Sequence, residues 1–217
     1  MFSYLSKESN LFMKFKFVFL LLTFQLTQVK SQNIDIAMLD RLNPSSTSAD
    51  RTFRFISDKA IITTTAAPFA MFLTGMAIHD ENLKNNALKT GIALAATTVE
   101  TYAIKNSIER ARPFVVYPNR VVHKGNASGY SFPSGHTSST FALATSLSLS
   151  YPKWYVIVPS YAFAATTAYS RLYLGVHYPS DVLGGMIVGA GTSYLTFKLQ
   201  RLLDKRYRRK KEFSGSE

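Results

Sequence analysis

Five apolar segments dominate the chain, at roughly 60–78, 88–104, 137–150, 154–169 and 182–199. Each is rich in Ala, Thr, Leu, Val and Gly, and none shows the period-two alternation of a half-buried strand. All five read as helices. Upstream, Ile34, Ile36, Met38, Leu39 and Leu42 fall at helical spacing and suggest a short amphipathic helix ending near Asn43-Pro44, with a turn over Ser45 to Asp50. The expectation is therefore an all-α fold, a helical bundle of about five to six helices. The connection 105–136 holds Pro113, Pro118, Gly125, Gly129 and Pro133 and reads as loop-rich. At 217 residues the chain is one domain or slightly more. The absence of cysteine excludes disulfides, thiolate nucleophiles and Cys-type zinc sites.

Whether these helices lie in lipid or in water is answered differently by different segments. Segment 60–78 is apolar except for its threonines, and Gly185 and Gly189 give 182–199 the GxxxG spacing of closely packed membrane helices. Against this, 88–104 contains Lys89 and Glu100, 137–150 is short for a span, and mean hydropathy is only +0.02. Topology favours lipid. If the chain starts outside and crosses at each segment, loops 105–136 and 170–181 share the outer face, and the tail from residue 200 falls inside. That tail contains Lys205, Arg206, Arg208, Arg209, Lys210 and Lys211, as the positive-inside rule requires. The expectation is a membrane-embedded bundle, with a soluble periplasmic bundle as the alternative.

Lys14 and Lys16 precede the run Phe17 to Phe24, and Val29 and Ser31 sit at the spacing of a cleavage site before Gln32. Residues 1–31 thus read as a signal peptide, or as an uncleaved first membrane helix, with Met13 as a possible true start. The remaining organisation is a lead segment over 32–58, a helical domain over 59–200 and a basic cytoplasmic tail over 201–217. Lys and Arg number 25 against 13 Asp and Glu, a net charge of +12. That excess favours anionic partners: nucleic acid, anionic lipid or phosphorylated substrates.

Three clusters carry the chemistry, and all fall on the same side of the predicted topology. They are Lys105 through Arg112-Pro113; Pro133-Ser134-Gly135-His136; and Ser170-Arg171, His177 and Asp181. Lys105, Arg112 and Arg171 are cations at helix ends, suited to phosphate oxygens. Ser134, Gly135 and His136 stand at a helix start, where free N–H groups seat an anion and glycine permits close approach. Asp181, four residues after His177, can hold one ring nitrogen and leave the other free to attack phosphorus. His136 can then protonate the leaving oxygen and later activate water. With three cations on the phosphoryl oxygens, no metal or other cofactor is needed.

The three clusters, in this order and spacing, resemble the type 2 phosphatidic acid phosphatase / vanadium haloperoxidase superfamily. That signature is Lys, six residues, Arg-Pro; then Pro-Ser-Gly-His; then Ser-Arg, five residues, His, three residues, Asp. The resemblance covers about residues 55–200 without departure. It implies an all-helical fold, His177 as nucleophile, Asp181 orienting it and His136 as acid/base. It also implies Lys105, Arg112, Ser134, Gly135 and Arg171 as phosphate ligands. The expected activity is phosphoric monoester hydrolysis of a lipid phosphate or diphosphate at a bacterial inner membrane, with the site facing the periplasm. The expected partners are that substrate and the membrane, not nucleic acid. A soluble periplasmic acid phosphatase and a vanadate-dependent haloperoxidase are the alternatives. A non-catalytic membrane protein fits poorly with a complete catalytic set.

Residues outside the signature take plainer readings. Arg110, Arg120 and Lys124 are expected in solvent or against headgroups, without a catalytic role. His79 and His123 read as surface or loop residues, Tyr130 and Phe132 as packing, and Trp154 as an interfacial anchor. Ser138, Ser139, Ser146 and Ser148 read as helix-packing residues.

Overall fold

The structure, a computed structural model, describes residues 34–214, with the side chains of residue 204 and residues 207–214 left aside. The expected signal segment over 1–31 and the start at Met13 lie outside the described residues. Backbone contacts divide the chain into two units, Met1–Met38 and Leu39–Glu217. In the first, residues 34–38 are helical. The second opens with helical residues 39–42 and continues through six helices: α1 (Asp50–Ala77), α2 (Glu81–Ile108), α3 (Pro113–Val116), α4 (Gly135–Ser150), α5 (Trp154–Tyr173) and α6 (Pro179–Ser214). The fold is all-α, and no strand occurs among the described residues.

The long helices extend past the apolar segments because polar residues serve well as their watery end turns. α1 starts about ten residues earlier than the apolar run, at Asp50, an acidic residue suited to a helix N-terminus. α2 begins at a side-chain cap: Asp80 accepts from the backbone N–H groups of Asn82 and Leu83 at 2.9 and 3.0 Å. Between α1 and α2 only a tight turn remains where a longer loop was expected. α3 interrupts the 105–136 connection, with Pro113 at its first position, where a missing N–H costs nothing.

The bundle is built inside out relative to a water-soluble protein. Its interior holds small and hydroxyl-bearing residues: Ala60, Thr90, Ala93, Thr97, Ser138, Thr140, Ala142 and Ser193 are fully buried. Its outer surface carries the large apolar ones, with Ile187 74%, Val99 70% and Phe69 66% exposed. A water-soluble bundle would bury those side chains, each of which gains about 1.5–3 kcal/mol on leaving water. Among the described residues, two helices, Asp50–Ala77 and Pro179–Leu203, are long and apolar enough to cross a bilayer. Glu100, the carboxylate that argued against lipid, accepts a hydrogen bond from Thr192 of α6. The membrane-embedded bundle holds, and the soluble alternative does not fit this surface.

The contact between α4 and α6 sets the position of the chemistry. A Cβ on Gly185 would lie 2.7 Å from the Ser134 carbonyl oxygen, and one on Gly189 2.1 Å from that of Ser138. Backbone therefore rides on backbone over two turns. One turn on, Ser193 Oγ donates to the Ala142 carbonyl at 3.0 Å. Gly189→Ala is expected to lower stability by about 2–3 kcal/mol, since rigid backbone must shift to admit the methyl. Gly191→Ala, where an added Cβ meets nothing within 4 Å, is the control. Thermal midpoints in detergent check this: a large drop for the first and little change for the second.

Lys124 departs from the sequence expectation, because it is buried. Its ammonium bonds the Pro44 carbonyl at 3.0 Å and Asp50 Oδ1 at 3.2 Å, and sits 3.8 Å from the centre of the Tyr173 ring. Tyr173 in turn donates to Asp50 at 2.7 Å. The Asn43 side chain donates to the carbonyls of Val122 and Tyr173 at 3.0 and 2.8 Å and accepts from the Val122 N–H. Burial without such partners would be costly for either side chain. With them, both tie residues 43–50 to the loop behind the end of α5. Arg120 matches its surface assignment, paired with Asp40.

Candidate active site

The three signature clusters meet at one end of the bundle. Lys105 comes from the last turn of α2, Arg112 from the loop that caps α3, Gly135 and His136 from the first turn of α4, Arg171 from the last turn of α5, and His177 from the α5–α6 connection. All six line one cavity of about 460 Å³, together with Asn126, Ala127 and Ser128. Ser134 and Asp181 stand behind it, each 0% exposed.

His177 is 1% exposed and held from both ring nitrogens. Nδ1 faces Asp181 Oδ2 at 3.4 Å and Ser131 Oγ at 3.5 Å. Nε2 lies 3.3 Å from Arg112 Nη1. Burial pushes the imidazole down to about 3, against the opposing pull of Asp181, so the ring is neutral near pH 7. A neutral ring with a proton on Nδ1 toward the carboxylate leaves the Nε2 lone pair pointing among the cations. That is the form a nucleophile requires.

Asp181 is saturated. Oδ1 accepts from Arg110 Nη1 at 2.7 Å. Oδ2 accepts from the Tyr178 N–H at 2.8 Å and from the Ser131 hydroxyl. Its backbone carbonyl accepts from the Ser134 N–H at 2.9 Å, which fixes the start of α4 against the start of α6.

The cations are pre-placed by loop carbonyls. Arg112 donates to Gly129 O at 2.9 Å, Ser128 O at 2.7 Å and Val176 O at 2.8 Å. Lys105 donates to Tyr130 O at 2.7 Å. Arg171, 2% exposed, donates to Ser57 Oγ and to Asn126 O at 3.2 Å, while its Nε has no partner among the described residues. A buried guanidinium N–H without an acceptor is costly, and a phosphoryl oxygen in the cavity would supply one. Ser134 Oγ accepts from Thr137 Oγ1 at 2.9 Å, leaving its own proton to donate. Among the described residues, no group of three or more His, Cys, Asp or Glu could hold a metal ion.

Sequence reasoning did not single out Ser131 and Ser57, and it assigned Arg110 to solvent or headgroups. Arg110 is instead paired to the buried Asp181. Ser57 lies on α1, 114 residues before the arginine it meets, and no local pattern signals that pairing. Of the other residues weighed, His79 is exposed, His123 stacks on Phe114 at 3.8 Å, and Phe132 packs over Gly184.

Comparison with known proteins gives the family and the fold. A family model described as the PAP2 superfamily matches residues 86–204. Undecaprenyl-diphosphatase BcrC of Bacillus subtilis is 33% identical over 156 residues, spanning 71% of this chain and 76% of that protein. Lipid A 4'-phosphatase of Bacteroides thetaiotaomicron is 34% identical over 86 residues, covering 40% of this chain and 38% of that protein. Among solved structures, Aquifex aeolicus LpxE superposes with a TM-score of 0.62 at 22% identity, covering 76% of this chain and 95% of that one. The PAP2 type phosphatidylglycerolphosphate phosphatase of Bacillus subtilis gives 0.61 at 22% identity, covering 79% and 87%. At that identity the two structures establish the fold alone.

Proposed function

The chain belongs to the PAP2 superfamily, and from that premise we propose that it removes the terminal phosphate of a lipid phosphate or diphosphate through a phosphohistidine at His177. The observation that carries this reading is a buried imidazole facing Asp181 through Nδ1, with Arg112 beside Nε2 and Lys105 and Arg171 lining the same cavity.

The cations and the first turn of α4 would hold the non-bridging oxygens, most tightly as the transferring group flattens and spreads its charge. His177 Nε2 would form a bond to phosphorus as the bond to the leaving oxygen breaks. Burial and the neighbouring cations hold the His136 imidazole down to about 3, so it would take up its proton as the phosphate anion enters and offsets those cations, and would then give that proton to the leaving oxygen. The lipid alcohol or lipid monophosphate departs. His136, now neutral, would take a proton from water. The hydroxide oxygen then bonds phosphorus, the P–N bond breaks, and inorganic phosphate leaves with both histidines restored.

Two observations favour a lipid substrate. The outer surface of the bundle is apolar. An open groove of about 590 Å³ also runs along α1 and α2, lined by Phe69, Phe72, Leu88 and Ile92, and reaches Ser139, one turn below His136. A hydrocarbon chain would lie there with its phosphate in the cavity above. BcrC, a relative that covers 71% of this chain, is named for a prenyl diphosphate, and we assign that substrate class. The site is assigned to the non-cytoplasmic face, because the opposite end of α6 carries Arg201, Lys205 and Arg206. Phosphate release from undecaprenyl diphosphate and phosphatidate in mixed micelles, against p-nitrophenyl phosphate in the same detergent, tests the reading. The expected kcat/KM is at least about 100-fold higher for a lipid, reflecting the binding energy of the buried chain. A preference for the soluble ester would overturn the lipid assignment.

A further inference from the structure

Arg110 lies two residues before Arg112, yet does not join it in the cavity. Its Nη1 donates to Asp181 Oδ1 at 2.7 Å and to Ser180 Oγ at 2.6 Å. Its guanidinium stacks 4.0 Å from the centre of the Tyr178 ring. Its backbone carbonyl accepts from the Ser131 N–H at 2.7 Å, and the Ser131 hydroxyl is the donor on the other carboxylate oxygen. One residue thus controls Asp181 twice, through its own fork and through the placing of Ser131.

We infer that Arg110 is a positioning residue: it fixes the plane of the Asp181 carboxylate so that Oδ2 stays on His177 Nδ1. The inference rests on the reading of His177 as nucleophile. The physical need is plain. A carboxylate with 0% exposure has Lys105, Arg112 and Arg171 close by in the same site. If free to turn, it would swing toward those charges and neutralise the groups that must hold phosphate. Pinned on Oδ1 from the far side, it can serve only the imidazole and its two neutral donors. As the P–N bond forms, positive charge develops on the ring, and the fixed Oδ2 is in place to stabilise it without reorganising.

This role makes a prediction that a phosphate ligand or a purely structural residue would not share. Arg110→Gln is expected to lower kcat, and the single-turnover rate of phosphoenzyme formation, about 10- to 100-fold. The inhibition constant for inorganic phosphate should stay within about 3-fold, because the cavity cations are untouched. Arg110→Lys should recover part of the loss, since a single nitrogen, Nη1, reaches both Asp181 and Ser180 and an ammonium can do the same. Wild type and His177→Ala are run alongside. If wild type releases no phosphate, or His177→Ala keeps its activity, the underlying reading fails. If both controls behave and Arg110→Gln turns over within 2-fold of wild type, the inference alone is overturned. A loss of phosphate affinity that matches the loss of kcat also overturns it, by making Arg110 a phosphate ligand. Should Arg110→Gln fail to fold, Arg110→Met, which keeps the length of the side chain but donates nothing to Asp181, decides by the same readings: kcat reduced at unchanged phosphate inhibition supports the role, and unchanged kcat removes it.

Discussion

His177→Ala is expected to abolish phosphate release, with a fall in kcat of about 10⁴-fold or more. The substitution removes the atom that takes the phosphoryl group and leaves the rest of the cavity in place. Arg112, Arg171 and Lys105 are held by carbonyls of Gly129, Ser128, Val176, Asn126 and Tyr130, not by the imidazole alone. Inorganic phosphate should therefore still inhibit by binding, with a constant changed by less than about 10-fold. The pairing of lost turnover with kept affinity is the informative result. Loss of both would mean that the cavity had collapsed. Retention of turnover would move the nucleophile elsewhere.

Asp181→Asn is expected to cost about 10³-fold in kcat while the backbone stays in place, a size typical of losing the carboxylate that orients a catalytic imidazole. The amide keeps the shape of the carboxylate but not its charge. One of its ends must present N–H groups to Arg110 on one side, or to Ser131, the Tyr178 N–H and the imidazole on the other. Either way a donor meets a donor in a site without solvent, and the imidazole loses the acceptor that sets its tautomer. Phosphate affinity should hold or rise slightly, since a negative charge near the cations is gone. A kcat within a few-fold of wild type would show that the Nδ1 contact, 3.4 Å long in this structure, does not orient the ring.

Much of this was legible in the chain itself. The absence of period-two alternation gave helices, and Gly185 and Gly189 gave a close helix approach, whose partner the structure identifies as α4, backbone against backbone. Spacing pointed to His177 and Asp181 as a pair, and the entry of the chain into α6 sets them 3.4 Å apart. What remained illegible follows from long-range geometry. Arg110 and Asp181 are 71 residues apart, and an arginine between two signature cations looks like one more surface charge. Lys124 misled for the same reason: its partners Pro44 and Asp50 lie in the lead segment, and nothing near it in sequence announces burial. Helix ends were drawn too short because hydropathy marks where lipid would lie, whereas the helices continue through polar turns, α2 back to its N-terminal cap at Asp80 and α1 back to Asp50. Mean hydropathy was ambiguous because the bundle keeps threonines and serines inside, where they donate to carbonyls one turn back, as Thr97 does to Ala93 at 2.8 Å.

The most direct test traps the intermediate. Detergent-solubilised protein is mixed with substrate labelled with ³²P in the terminal phosphate, quenched in alkali within milliseconds, digested and mapped. Phosphohistidine survives alkali, and the label is expected on the peptide containing His177, absent from His177→Ala, and slower both to appear and to decay in His136→Ala, which lacks the acid for the first step and the base for the second. Label on a different residue, or none at any quench time in an enzyme that turns over, would contradict a covalent route through this imidazole.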